Sequence, residues 1–288
     1  MNIAIVPTDP GIDLNEVTRV SAALQKQVTN NFASWWGYQA DINCFTRIED
    51  VPQDSAIIQL VIGTLLSDPS LEGYHYFDDR NEPHALVRVD QQNWSLTASH
   101  ECLEMLADPG GTLTINAPPI GQSMGTVTYL KEVCDPCQNI SYGYCIDNYP
   151  VSDFYGPNYF DAVATPGARY SITGSLPGPR TILPGGYLCF RDETGTWMKA
   201  VSIGGQIQIS TLPPGSVDAK GSLREKIDAH SKAGGLADIF KDLGGEHTLR
   251  VSNMLEKIKE NEEKRSLWAT KRKKILINFK RKRKRPNK

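Results

Sequence analysis

The sequence predicts an α/β (α+β) fold: a twisted mixed sheet that carries a functional helix, followed by a helical, basic extension. Three observations lead there. Strand-like and helix-like apolar patterns alternate between Asn2 and Ala107, an H-E-x-x-E sequence falls in the second predicted helix, and composition shifts abruptly after Pro213-Pro214-Gly215. These divide the chain into a folded domain over residues 1–212, a helical extension over 213–270 and a disordered basic tail over 271–288.

Asn2 to Val6 is a short apolar run closed by Pro7 and Gly11, which suits a buried first strand. Val17, Val20, Ala23, Leu24, Val28 and Phe32 then recur at three and four residues, the period of a helix with one buried face. Asp13 or Asn15 can cap it, and Trp35-Trp36 ends it before Gly37. Ala40 to Phe45 reads as a second strand. Ala56 to Ile62 (A-I-I-Q-L-V-I) is apolar nearly throughout, which places it centrally in a sheet. Ser67 to Pro83 is polar and reads as a long loop with room for a short strand at Tyr74 to Phe77. Ala85 to Val89 is taken as the edge strand and leads into a helix over Trp94 to Ala107. His75 and His84, just ahead of that strand and at its start, are read as surface residues. From Thr112 to Thr211 the short runs T-L-T-I, T-V-T-Y-L, Y-L-C-F-R and K-A-V-S-I predict small strands and loops. Beyond Gly215, Ser222 to His230, Leu236 to Leu243 and Thr248 to Trp268 have helical patterns.

A net charge of −2 conceals a polar division of the chain. Residues 1–212 hold 10 Lys and Arg against 23 Asp and Glu, and residues 213–288 hold 21 against 10, so an acidic domain precedes a basic extension. Six cysteines in 288 residues are too few for a disulfide scaffold and read as free thiols. Cys134 and Cys137 have knuckle spacing, and Cys145 and Cys189 offer a second pair for a structural zinc site, although a second C-x-x-C is missing. No apolar run is long enough to span a bilayer, and no secretory leader is legible at Met1-Asn2-Ile3. The expectation is a soluble chain, cytoplasmic or virion-associated.

The sharpest chemical signal is Ser99 to Pro109, S-H-E-C-L-E-M-L-A-D-P. His100 and Glu104, four apart, share a helix face and can point at one metal ion, with Glu101 beside them to handle a proton. This is one letter from the H-E-x-x-H helix of zinc metalloproteases. Asp108, eight residues after His100 and on the same face, is a candidate further ligand. The alternative is an ordinary helix start: Ser99 as N-cap, Glu101 favoured by the helix dipole, Leu103, Leu106 and Ala107 as core, and Glu104 solvated. Tyr142, Tyr144 and Tyr149 either offer a hydroxyl to an oxyanion or pack, and Asp153 either orients a ligand or caps a turn.

L-Q-K-Q-V from Leu24, the S-H-E-C-L-E-M-L-A-D-P stretch, E-V-C-D-P-C from Glu132, Y-G-Y from Tyr142, V-S-D-F from Val151 and P-G-G-Y from Pro184 together resemble a widespread family of bacterial and phage proteins. The order strand, helix, strand, strand, edge strand, helix is similar to the N-terminal half of zincin metalloproteases. The resemblance spans residues 1 to about 200. It implies a zincin-like fold whose active-site helix packs under the sheet, and it brings no substrate with it. It also implies an acidic third ligand downstream of the helix, for which Glu132 is the first choice and Asp135 the weaker one.

The function these features predict is metal-dependent hydrolysis of a peptide bond, with Glu101 as general base and His100, Glu104 and Glu132 or Asp108 as ligands. Zinc fits, and the carboxylate at position 104 also admits manganese or another oxygen-preferring ion. The extra anionic charge makes a bound water less acidic than in a site of neutral ligands. The competing reading is a non-catalytic phage or bacterial structural protein. Its tail, Lys271 to Lys288, carries 11 Lys and Arg and no acid. Such a run binds nucleic acid or another polyanion through salt-sensitive phosphate contacts. Ile275, Leu276, Ile277 and Phe279 within it also suit an anionic membrane surface.

Overall fold

The four side chains of Ile3 to Val6 are buried along strand β1 (Asn2–Pro7), in a computed structural model that describes residues 1–65, 71–78, 80–91 and 93–212. The helices expected within 213–270 and the tail 271–288 lie outside the described residues. β1 is paired in parallel with β2 (Asp41–Cys44) on one side and with β3 (Ser55–Val61) on the other. β3 also pairs in parallel with β5 (Pro83–Arg88), and β4 (Gly73–Phe77) closes the sheet antiparallel to β5. The order is β2-β1-β3-β5-β4, so the apolar β3 occupies the middle. The edge differs from expectation. β4 covers the outer side of β5, so the strand beginning near His84 lies inside the sheet and β4 is its border. The fold is a mixed α/β arrangement, and no described helix is long and apolar enough to cross a membrane.

The first helical segment follows its predicted face. α1 (Leu14–Gln27) is capped by Asp13, whose Oδ1 accepts the Asn15 N–H at 2.9 Å, and Val17, Val20, Ala23 and Leu24 are fully buried. A π-helical turn at Val28–Phe32 interrupts the continuous helix that the periodicity suggests. It continues as α2 (Ala33–Trp36) and stops at Gly37, whose φ of 73° is a left-handed cap. Phe32 packs edge-on against Phe154, and the Trp36 indole N–H donates to the Tyr155 carbonyl at 2.9 Å.

The second long helix, α3 (Trp94–Ala107), begins with Asn93 at φ 66°. Ser99, His100 and Glu101 therefore sit in mid-helix, and the alternative in which Ser99 caps a helix start is set aside. Every residue of α3 but Leu96 is buried, so its polar side chains face protein on all sides. It packs against β4 and β5 and against β9 (Tyr149–Val151), which forms a hairpin with β8 (Tyr144–Ile146). A second, wholly antiparallel sheet has the order β12 (Gln206–Thr211), β11 (Trp197–Ile203), β10 (Tyr187–Arg191), β7 (Val127–Leu130) and β6 (Thr114–Ala117). Core residues of both sheets and both long helices belong to one apolar cluster.

A buried polar node ties these parts together. The Ser99 hydroxyl donates to Gln27 Oε1 at 2.7 Å and accepts the Ser152 N–H at 2.9 Å, while Gln27 Nε2 donates to the Ser152 carbonyl at 2.9 Å. Removing Ser99 Oγ strands two buried groups, which costs about 1–3 kcal/mol. Ser99→Ala is therefore expected to lower the unfolding free energy by that amount, measured by chemical unfolding, with far-ultraviolet circular dichroism of the native state unchanged.

Candidate metal centre

Helix spacing decides what α3 offers. Glu104 lies one turn beyond both His100 (i+4) and Glu101 (i+3), so it neighbours each of them. His100 is 6% exposed, Glu101 2% and Glu104 0%. Glu104 Oε1 accepts the Cys134 N–H at 3.1 Å, and Glu104 Oε2 stands 3.0 Å from His100 Nε2. His100 Nε2 is also 3.4 Å from Asp135 Oδ1, at the start of the short 3-10 turn Asp135–Cys137. Burial by itself disfavours a charged His100, but the Glu104 charge and hydrogen bonding to Asp135 and Glu104 outweigh it and hold its pKa well above the ordinary imidazole range.

The structure adds a residue that the sequence reading put on the surface. His75, in the middle of β4, is fully buried, and His84 on β5 is 7% exposed and hydrogen-bonded to Gln59 at 3.1 Å. His75 Nε2 lies 3.0 Å from the Asp108 carbonyl oxygen, and Nδ1 lies 3.2 Å from Glu101 Oε2 and 3.9 Å from Glu104 Oε2. A carbonyl only accepts, so Nε2 carries the hydrogen and Nδ1 is the atom turned to the two glutamates. Glu132 Oε2 is 3.9 Å from His75 Nε2, which brings Glu132 to the His75 side of the cluster.

The remaining predicted residues take other positions. Asp108 has left the helical path, with φ −144°, and its two carboxylate oxygens accept the Thr112 and Leu113 N–H groups at 2.9 and 2.8 Å. Its carboxylate closes the turn after α3, which argues against the ligand role its spacing suggested. Asp153 takes N–H donors from Phe154 and Thr173 and the Thr173 hydroxyl, so it holds a turn. The Tyr144 and Tyr149 hydroxyls bind Gln27 and Arg19 of α1. Cys134 and Cys137 are buried, Cys145 is exposed and Cys189 packs in a separate apolar cluster, and no metal-sized set among the described residues contains two cysteines.

Two glycines allow the close approach of these segments. A Cβ on Gly73 of β4 would sit 2.6 Å from Thr97 Cγ2 and 3.0 Å from Glu101 Oε1. A Cβ on Gly186, in P-G-G-Y, would sit 2.4 Å from the Pro136 carbonyl oxygen and 2.8 Å from that of Asp135. Tyr155 is a further residue the sequence did not single out. It is fully buried, and its hydroxyl has no hydrogen-bond partner among the described residues. Burial, then Tyr159, Glu132, Glu104 and Asp135, push its pKa well above the phenolic range.

The cluster thus contains buried His, Glu and Cys groups that can hold a metal ion. His100, Glu104 and Cys134 form one set, and His75, Glu101 and Glu104 another, each with its donor atoms within 4.8 Å of one another. No known protein family, curated protein or solved structure matches the chain.

The Gly73 contact gives a direct check of this packing. Gly73→Ala is expected to cost about 1–3 kcal/mol, as overpacking does. Adding Thr97→Ser, which removes the nearest methyl, should recover part of that loss in a double-mutant cycle followed by thermal unfolding.

Proposed function

We propose that the chain is a metal-dependent hydrolase of zincin-like plan, acting on peptide bonds through the H-E-x-x-E helix. The observation that carries this reading is the arrangement at His100 Nε2, a single nitrogen of a largely buried side chain facing Glu104 Oε2 at 3.0 Å and Asp135 Oδ1 at 3.4 Å. His100, Glu104 and Asp135 would hold the ion. Asp135 is preferred to Glu132 because it stands on the His100 side, and to Cys134 because that thiol donates to the His100 carbonyl at 3.8 Å. An imidazole with two carboxylates suits zinc and equally manganese.

When bound, such an ion polarises a carbonyl and makes water more acidic. Glu101 is the general base, placed one residue along the helix from His100 and pressed against β4 by the missing side chain at Gly73. It takes the proton from the attacking water and returns it to the leaving amine. His75 positions the Glu101 carboxylate through Nδ1 and is itself oriented by the Asp108 carbonyl. A peptide is the favoured substrate because β4 borders its sheet, and an extended chain can pair with a border strand.

Elemental analysis and a mixed peptide library test this reading. Wild type is expected to carry stoichiometric zinc or manganese, and Glu104→Ala to lose it. Glu101→Gln should keep the ion at the His100 position while hydrolysis falls about 10²–10⁴-fold, the usual contribution of a general base. Metal retention in Glu104→Ala contradicts the ligand assignment, and undiminished turnover in Glu101→Gln contradicts the base.

A second activity is favoured by the 11 Lys and Arg of residues 271–288. Those residues would bind nucleic acid or another polyanion, independently of the metal centre. Deleting them is expected to abolish duplex binding whose affinity falls steeply with salt in filter-binding assays. Equal binding by the truncated chain rejects this role.

A further inference from the structure

The donor atoms of the cluster fall into two compact sets that share one residue. His100 and Cys134 group with Glu104 in one and His75 and Glu101 in the other, and His100 Nε2 and His75 Nδ1 both face Glu104 Oε2, at 3.0 and 3.9 Å. We propose that the centre holds two divalent cations bridged by the Glu104 carboxylate, the first with His100 and Asp135 and the second with His75 Nδ1 and Glu101. This rests on the metal reading above and extends it from one ion to two.

Three observations support the second position. First, His75 is oriented as a ligand. Its Nε2–H is committed to the Asp108 carbonyl at 3.0 Å, the kind of hydrogen bond by which ligating histidines are usually oriented, and this turns Nδ1 toward Glu101 and Glu104. A proton on Nδ1 bridges the 3.2 Å to Glu101 Oε2, and a divalent ion competes with that proton for the same two atoms. Second, the charges balance. Glu101, Glu104, Glu132 and Asp135 are each no more than 2% exposed. With both imidazoles neutral, one divalent ion neutralises half of these four carboxylates and two neutralise them all. Third, the Tyr155 hydroxyl, fully buried and without a hydrogen-bond partner among the described residues, lies within electrostatic reach of Glu132, Glu104 and Asp135. A water held at the centre supplies the partner it needs.

The second position has a functional consequence. An ion there takes the Glu101 carboxylate as a ligand and removes it as a proton acceptor. Repulsion between the two cations weakens whichever ion binds second, and with the His100 position filled the His75 position fills only as free metal rises. High metal then switches off the base while the first ion stays in place.

Equilibrium dialysis of the full chain against zinc and against manganese, with bound metal counted by elemental analysis, tests this. Wild type is expected to bind two ions with separate affinities. His75→Asn and Glu101→Gln should each bind one. Glu101→Gln keeps the shape of the side chain, so it decides the matter if His75→Asn fails to fold. A single ion in wild type, lost in His100→Asn, overturns the second position and leaves the first intact. Two ions retained in Glu101→Gln also overturn it. No ion in wild type contradicts both readings.

Discussion

Taking a carboxylate out of water costs several kcal/mol even after the protein relaxes, and the space between α3, β4 and the Glu132–Cys137 segment takes in four. Two imidazoles face them. The contacts among these groups are not the isolated ion pairs of a surface: Glu104 alone touches His100, the Cys134 amide and the surroundings of His75. Such a cluster is tolerable only when protons or other positive charge are supplied inside it. Protons on the histidines provide some, and the raised pKa of His100 is the direct expression of that demand. A divalent ion provides more, without asking a buried imidazole to remain protonated. The rest of the domain can be read as the framework that keeps these groups together against their own repulsion.

That framework consists of short, specific contacts. α3 is buried on nearly all sides, so the helix has little freedom to rotate its polar face away. Ser99 fixes it to Gln27 of α1 and to the Ser152 amide. Gly73 brings β4 against Glu101, and Gly186 brings the turn before β10 against Asp135 and Pro136. Asp108 secures the chain after the helix by binding two amides, and its own carbonyl sets the orientation of His75. The motifs that stand far apart in the sequence, L-Q-K-Q-V, S-H-E, E-V-C-D-P-C, V-S-D-F and P-G-G-Y, therefore meet around one centre.

How much of this could be read beforehand depended on the length and regularity of each signal. The apolar period set the start of α1 but not the π turn that breaks it at Val28, the nearly apolar run placed β3 to within a residue, and α3 was bounded at Trp94 and Ala107 as expected. The antiparallel border strand was legible only as room for a short strand at Tyr74 to Phe77, and not as the border, because five residues, G-Y-H-Y-F, lie inside a polar stretch that resembles a loop. The alternation was nevertheless informative: in a strand, His75 must face away from Tyr74 and Tyr76, and that opposite face is where Glu101 lies. Asp108 is placed away from the expected helix face for a different reason. Its spacing from His100 was correct for a helix, but the helix had ended one residue earlier. The choice between Glu132 and Asp135 was beyond sequence reasoning, since a 3-10 turn that no periodicity announces aims Asp135 at His100 and leaves Glu132 beside His75. Tyr155 carries no pattern at all, and only its burial beside the carboxylates brings it into view.

The central claim is that this buried cluster is a metal centre. Anomalous diffraction at the zinc absorption edge, from crystals of the full chain grown with zinc, tests it most directly. The account predicts a peak bonded to both His100 Nε2 and a Glu104 oxygen, at about 2.0–2.2 Å. A map with no peak between α3 and β4, and His100 still hydrogen-bonded to Glu104 and Asp135, would contradict it.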